Sequence, residues 1–259
     1  MRGGDWLILI IVALSILLTV LDGLVGGTIS AWIENDLYAL LVPVGTALGW
    51  VGLILMPLLA LPLIGGILGR LAGLPAPLEA GFRGGISAAD SISTVVGDAA
   101  RWLALGLVIV AATVVIQRYV FGFASTKLQE SVIYMHALLF LLSSGATLLA
   151  DGHVRVDIVY AKLSERGKAW TDLIGTYLAL LPMALLILWV SSPYINATWR
   201  ILERSRESDG LPLVFLLKTA IPVFALLMII QGMASAMRAA LTLSGKAAPG
   251  HAAAIDKEL

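Results

Sequence analysis

Six stretches of this chain are long and apolar enough to cross a lipid bilayer as helices, a property that constrains the fold more than any other. The hydrocarbon core of a membrane takes about 20 consecutive, mostly apolar residues to cross. The candidate spans run over residues 6–25, 37–74, 102–121, 130–150, 169–194 and 213–241. The second is too long for one straight span, and Pro43, Pro57 and Pro62 predict that it kinks or sheds an interfacial piece. Whether it crosses once or enters and returns stays open at this level. Composition agrees: 59% of residues are hydrophobic and only 13% charged, with a mean hydropathy of +0.95. A soluble domain carries about 25% charged residues. Lys plus Arg and Asp plus Glu number 17 each, so nothing points to nucleic acid as a partner. The absence of cysteine excludes disulfides, thiolate metal sites, iron–sulfur clusters and thiol nucleophiles.

The fold class expected is an all-α integral membrane protein: a four-helix transmembrane unit, an N-terminal extension of one or two spans, and a short interfacial amphipathic helix. Residues 1–97 form the extension, 98–243 the four-span unit and 244–259 a polar C-terminal tail. The first apolar run exceeds a signal-peptide core and lacks a small-residue cleavage site, so it is expected to be retained. With a cytoplasmic N-terminus, eleven Lys and Arg residues fall inside and six outside, which places both termini in the cytoplasm. Residues 1–97 hold 16 of the 26 glycines. Gly23/Gly27, Gly45/Gly49 and Gly65/Gly69/Gly73 have the four-residue spacing that lets helices approach closely, although glycine is also simply frequent in membrane helices. Residues 75–98 read as a linker, with Ser87 and Asp90 marking a helix start.

Residues 155–168 carry the clearest amphipathic pattern. Val156, Val159, Tyr160 and Leu163 share one helical face, and Arg155, Asp157, Lys162, Glu165 and Arg166 occupy the others. Such a helix lies in the membrane interface against lipid headgroups, either as a plain connector or as an element that docks on a partner. Glu130, Asp22 and His136 are the ionisable groups near or inside spans, and only His136 is expected within one. A proton pathway needs several titratable groups, so a helix–helix hydrogen bond competes with a transport role for His136. His136, His153 and His251 are too dispersed for a metal site, and no nucleophile elbow, zinc-protease motif, phosphate loop or dinucleotide fingerprint is present. No metal, cofactor or catalytic residue is expected, and the chain is not read as an enzyme. An autonomous small transporter or channel working through His136 is the alternative.

Several stretches match a known pattern in order: Arg118-Tyr119-Val120-Phe121, Leu128-Gln129-Glu130, Asp151-Gly152-His153-Val154-Arg155-Val156-Asp157, Trp170 with Asp172, Leu173 and Gly175, and Gly210-Leu211-Pro212 with Lys218, Pro222 and Gln231-Gly232. Through them, residues 102–243 resemble the small membrane subunit of tripartite ATP-independent periplasmic (TRAP) transporters, the DctQ-like family. The resemblance implies a bacterial inner-membrane complex. In it, a periplasmic substrate-binding protein captures an organic acid. A large membrane subunit of about a dozen spans then moves it inward by an elevator motion driven by sodium. The small subunit binds no substrate and braces the large one. Gln129, Glu130, His153, Arg155, Asp157, Tyr160, Leu163 and Trp170 are then the candidate subunit-interface or interfacial-helix residues. Residues 1–97 have no counterpart in the usual four-span pattern.

Overall fold

A computed structural model of the chain describes residues 2–153 and 157–250, and among these every regular element is helical. Helix α1 (Gly3–Leu24) is the first span. Gly26 and Gly27, at φ +71° and +82°, turn the chain into α2 (Thr28–Asn35), an element without a counterpart in the expected spans. The Asp22 carboxylate accepts from the amides of Ile29 (2.9 Å) and Ser30 (3.0 Å), so it caps α2, satisfying donors that a helix start leaves open. Helix α3 (Leu37–Leu55) contains Pro43. It gives way to a 3₁₀ turn (Met56–Ala60), and α4 (Leu61–Ala72) follows with Pro62 in its first turn. The expected break in the long second run therefore falls at Pro57 and Pro62.

Helix α5 (Ala76–Val120) runs for 45 residues. The linker and the helix start at Ser87 expected from composition are replaced by continuous helix from Ala76. The reason is packing. Phe82, Ile86, Ala89 and Ser93 are buried at helical spacing, a stripe that the surrounding Gly, Ala and Ser residues conceal in the sequence. Helix α6 (Thr126–Leu149) is the fourth span. A single turn, α7 (Asp157–Tyr160), precedes α8 (Glu165–Gly175), which passes through a π-helical turn (Thr176–Leu180) into α9 (Leu181–Arg200). Helix α10 (Val214–Leu243) is the last. Among the described residues, six helical segments are long and apolar enough to cross a membrane, two of them lying wholly within residues 1–97.

The amphipathic helix expected over 155–168 is shorter than its pattern. The Ser164 hydroxyl accepts from the Gly167 amide at 3.2 Å and starts a new helix there, which belongs to the fifth span. Arg155 and Val156 lie outside the described residues, as does the side chain of Asp157.

The chain packs as two compact units. The first comprises Met1–Leu55, Asp98–Leu141 and Ser191–Ala220. Within it, the first turn of α1 is tied to α5. Asp5 Oδ1 accepts from Arg101 Nη2 at 2.6 Å and from the Trp102 indole at 2.9 Å, while Asp98 meets Arg101 at 3.1 Å and Arg2 at 3.5 Å. Beyond that point α1 and α3 expose large apolar side chains, as a surface facing lipid tails does.

The second unit comprises Met56–Gly97, Leu142–Val190 and the described part of Ile221–Leu259. Its core lies on both sides of α10. Ala234, Ala240 and Leu241 pack against Phe82, Ile86 and Ala89 of α5, and Ala236, Ala239 and Leu243 pack against Ala169 and Leu173 of α8. Alanine at these positions lets neighbouring helices come close, which drives packing where lipid removes the hydrophobic effect. The glycine repeats divide accordingly. Gly65, Gly66 and Gly69 are buried; a side chain at Gly66 would stand 3.1 Å from Leu173. Gly23, Gly45 and Gly49 meet nothing within 4 Å. The glycine rule thus holds for the Gly65/Gly69 pair of α4, whereas Gly73, past the helix end, meets nothing within 4 Å.

Candidate functional site

The structure brings two groups of polar side chains together inside the second unit. On α5 and α10, the Ser93 hydroxyl donates to Gln231 Oε1 at 2.8 Å, and Gln231 Nε2 donates to Asp90 Oδ1 at 3.2 Å. The other Asp90 oxygen takes the Arg238 guanidinium at 2.5 Å, and Arg238 Nε donates to the Pro249 carbonyl at 3.1 Å. Gln231 is fully buried and only 3% of Arg238 is exposed. A buried charge of this kind persists only with a counter-ion and bonded neighbours. The segment after α10 completes the arrangement. Gly245 turns it at φ +74°, Lys246 pairs with Glu79 at 3.1 Å, and Arg83 donates to the Ala247 carbonyl at 2.9 Å. The start of the expected polar tail is therefore docked on α5.

The second group surrounds the stretch singled out between spans four and five. His153 is exposed, and Ile158 and Val159 of α7 present their side chains outward. Tyr160 is partly buried, and its hydroxyl donates to Asp172 Oδ2 of α8 at 2.9 Å. Leu163 is partly buried in the turn before Ser164. Trp170 lies against the cluster of Ala169, Leu173, Ala236, Ala239 and Leu243. Tyr160, Leu163 and Trp170 thus belong to one local assembly around the start of the fifth span, with the exposed apolar turn α7 at its edge.

Glu130 and Gln129 belong to the first unit instead. Gln129 is exposed. The Glu130 carboxylate accepts the Ser205 hydroxyl and, at 2.6 Å, the Leu211 amide. It fastens the loop between α9 and α10. In that loop Glu203 accepts from Lys218 Nζ and from the Thr198 hydroxyl, both at 2.5 Å. Lys218 also stands 4.3 Å from the centre of the Tyr194 ring. The Lys218 ammonium, then the Thr198 hydroxyl, hold the Glu203 carboxyl below the usual carboxylate range. Lys127 and Asp209 close the loop's far side at 2.7 Å. His136 lies on an exposed side of α6 with its ring 5.0 Å from Phe140, among apolar neighbours.

Sequence reasoning missed Asp90, Arg238 and Ser93 as a set. Their signal was present: a carboxylate and a guanidinium flanked by apolar and small residues, which lipid tolerates only in pairs. The sequence separation of 148 between Asp90 and Arg238 hid which partner each had.

A family model described as "Tripartite ATP-independent periplasmic transporters, DctQ component" matches residues 107–242, more than half of the chain and most of its last four spans. No curated protein and no solved structure matches it.

Proposed function

We propose that this chain, which belongs to the DctQ component family of tripartite ATP-independent periplasmic transporters, braces the large membrane subunit of its complex while that subunit moves. As a member it is the small membrane subunit of a transporter and not an enzyme. The finer reading is as follows. The chain resides in the inner membrane with both termini in the cytoplasm, beside a large membrane subunit and a periplasmic substrate-binding protein. The complex takes up an organic acid at the expense of a sodium gradient.

The observation that carries the bracing role is the chain Ser93–Gln231–Asp90–Arg238. Ser93, Gln231, Asp90 and Arg238 bond in sequence and fasten α5 to α10. A transport site is built differently, with polar groups at mid-membrane turned toward a substrate. Helices fastened in this way suit a part that stays still while another moves. His136, exposed beside Phe140, gives no support to the alternative of an autonomous channel.

The docking face proposed for the large subunit is the interfacial stretch with His153, Arg155, Asp157, Tyr160 and Leu163, extended by Trp170. Gln129 and Glu130 form a second proposed face on the other unit. Arg155→Ala combined with Asp157→Ala should lower co-purification with the large subunit and lower uptake in proteoliposomes that hold all three components and a sodium gradient. Unchanged co-purification and uptake would remove the role from this stretch. Flux in liposomes holding this chain alone would replace the bracing reading with the autonomous one.

A further inference from the structure

The Tyr177 hydroxyl stands where a backbone hydrogen bond of the second span belongs. In an unbroken α-helix the Leu63 amide donates to the Leu59 carbonyl four residues earlier. Here the Leu63 amide donates to Tyr177 Oη at 3.3 Å, and the Tyr177 hydroxyl donates to the Leu59 carbonyl. One side chain has entered the ladder between donor and acceptor and satisfies both. Side-chain insertion of this kind is one of the few physical causes of a sharp helix break.

Both partners are irregular at this point. The second span is in its 3₁₀ turn at Met56–Ala60, and Pro62 supplies no amide for the carbonyl of Leu58. The fifth span is in its π turn, Thr176–Leu180, which contains Tyr177. A π turn holds an extra residue and so re-aims the side chains within it. Tyr177 packs at the edge of the cluster formed by Ala169, Leu173, Ala236, Ala239 and Leu243, beside Leu63. Lipid tails provide no water to satisfy the freed Leu59 and Leu63 groups, so the break needs a protein partner.

We propose that Tyr177 is a wedge that holds the second span open at residues 56–60, so that the two helix irregularities form one conformational element. The hydroxyl sets the break, and the prolines only permit it. Without the hydroxyl, the Leu63 amide returns to the Leu59 carbonyl and the segment takes the α-helical rise.

The chain has no cysteine, so spin labels can be placed singly through Met56→Cys and Leu71→Cys, both at exposed positions. The full chain in nanodiscs is measured by double electron–electron resonance, with and without Tyr177→Phe. A 3₁₀ rise of about 2.0 Å per residue, against about 1.5 Å in an α-helix, predicts that the label separation shortens by about 2–3 Å in the variant. An unchanged separation in a folded variant overturns the proposal and leaves the prolines as the cause. Should Tyr177→Phe fail to fold, Pro62→Ala is added to it, returning the missing donor to the ladder. Recovery of folding with the shortened separation supports the wedge, and failure to recover overturns it.

Discussion

Asp90 and Arg238, 148 positions apart, meet at 2.5 Å, with the arginine almost wholly withdrawn from the surface. Removing one member strands the other. Asp90→Ala is expected to destabilise the protein by about 3–5 kcal/mol, the usual consequence of leaving a buried charge unpaired. Thermal unfolding in detergent, followed by tryptophan fluorescence, measures it. Asp90→Asn keeps one acceptor oxygen, enough for Gln231 or Arg238 but not for both, and should fall between Asp90→Ala and the unaltered chain.

The loop between α9 and α10 should respond to acid. Lys218 and Thr198 hold the Glu203 carboxyl below its ordinary value, so the folded state keeps it ionised where the unfolded chain would bind a proton. That contribution is complete above the ordinary glutamate value of about 4.3 and is lost as pH falls through the lowered folded value. Melting temperature should stay level with respect to this group from pH 7 to about pH 5 and drop on further acidification. Glu203→Gln should remove that part of the acid dependence. An unchanged slope in the variant would assign the acid response to other groups.

Glu130 predicts a local effect in the same loop. Its carboxylate accepts from the Ser205 hydroxyl and the Leu211 amide, and hydrogen bonds to a charged group contribute about 1.5–3 kcal/mol each. Glu130→Ala should raise amide exchange across residues 201–213 several-fold while exchange in the buried half of α10 stays slow. A uniform rise along the chain would mean that Glu130 serves the whole fold.

Two glycines of similar sequence context should behave oppositely. At Gly65 an added methyl group would stand 2.9 Å from the ring of the buried Phe82. Gly65→Ala is expected to cost about 1–3 kcal/mol. At Gly49 nothing lies within 4 Å, and Gly49→Ala should be neutral or stabilise by up to about 1 kcal/mol through the lower chain entropy of alanine. Melting temperatures of the two purified variants decide this.

How much of this was legible in the sequence depended on the kind of interaction. The spans were legible because apolar length is a local property: α6 and α10 begin and end within a few residues of their expected limits. The break at Pro57 and Pro62 was legible for the same reason. The first half of α5 was not, because Gly81, Gly84, Gly85, Ser87 and Ser91 look like a linker until Phe82 and Ile86 are seen to fit against α10. The interfacial helix was overread. Val159, Tyr160 and Leu163 lie on one helical period, yet α7 ends at Tyr160 and the Ser164 hydroxyl caps a new helix. The polar pairs were least legible, since Asp90 with Arg238 and Tyr177 with Leu59 join residues that no local pattern connects.

The tie at Asp5 bears on how this chain changes over generations. Of the residues in α1, those buried are Gly4 and Asp5, both in the first turn. Past that turn no residue of α1 is buried among the described residues, and its side chains need only dissolve in hydrocarbon. Among relatives that keep this helix, substitutions among Leu, Ile, Val and Met should accumulate freely from Ile8 to Val20. Asp5, Arg101 and Trp102 should be kept or lost together, because the Arg101 guanidinium and the Trp102 indole are the side-chain donors that hold the Asp5 carboxylate, beside the Arg2 amide.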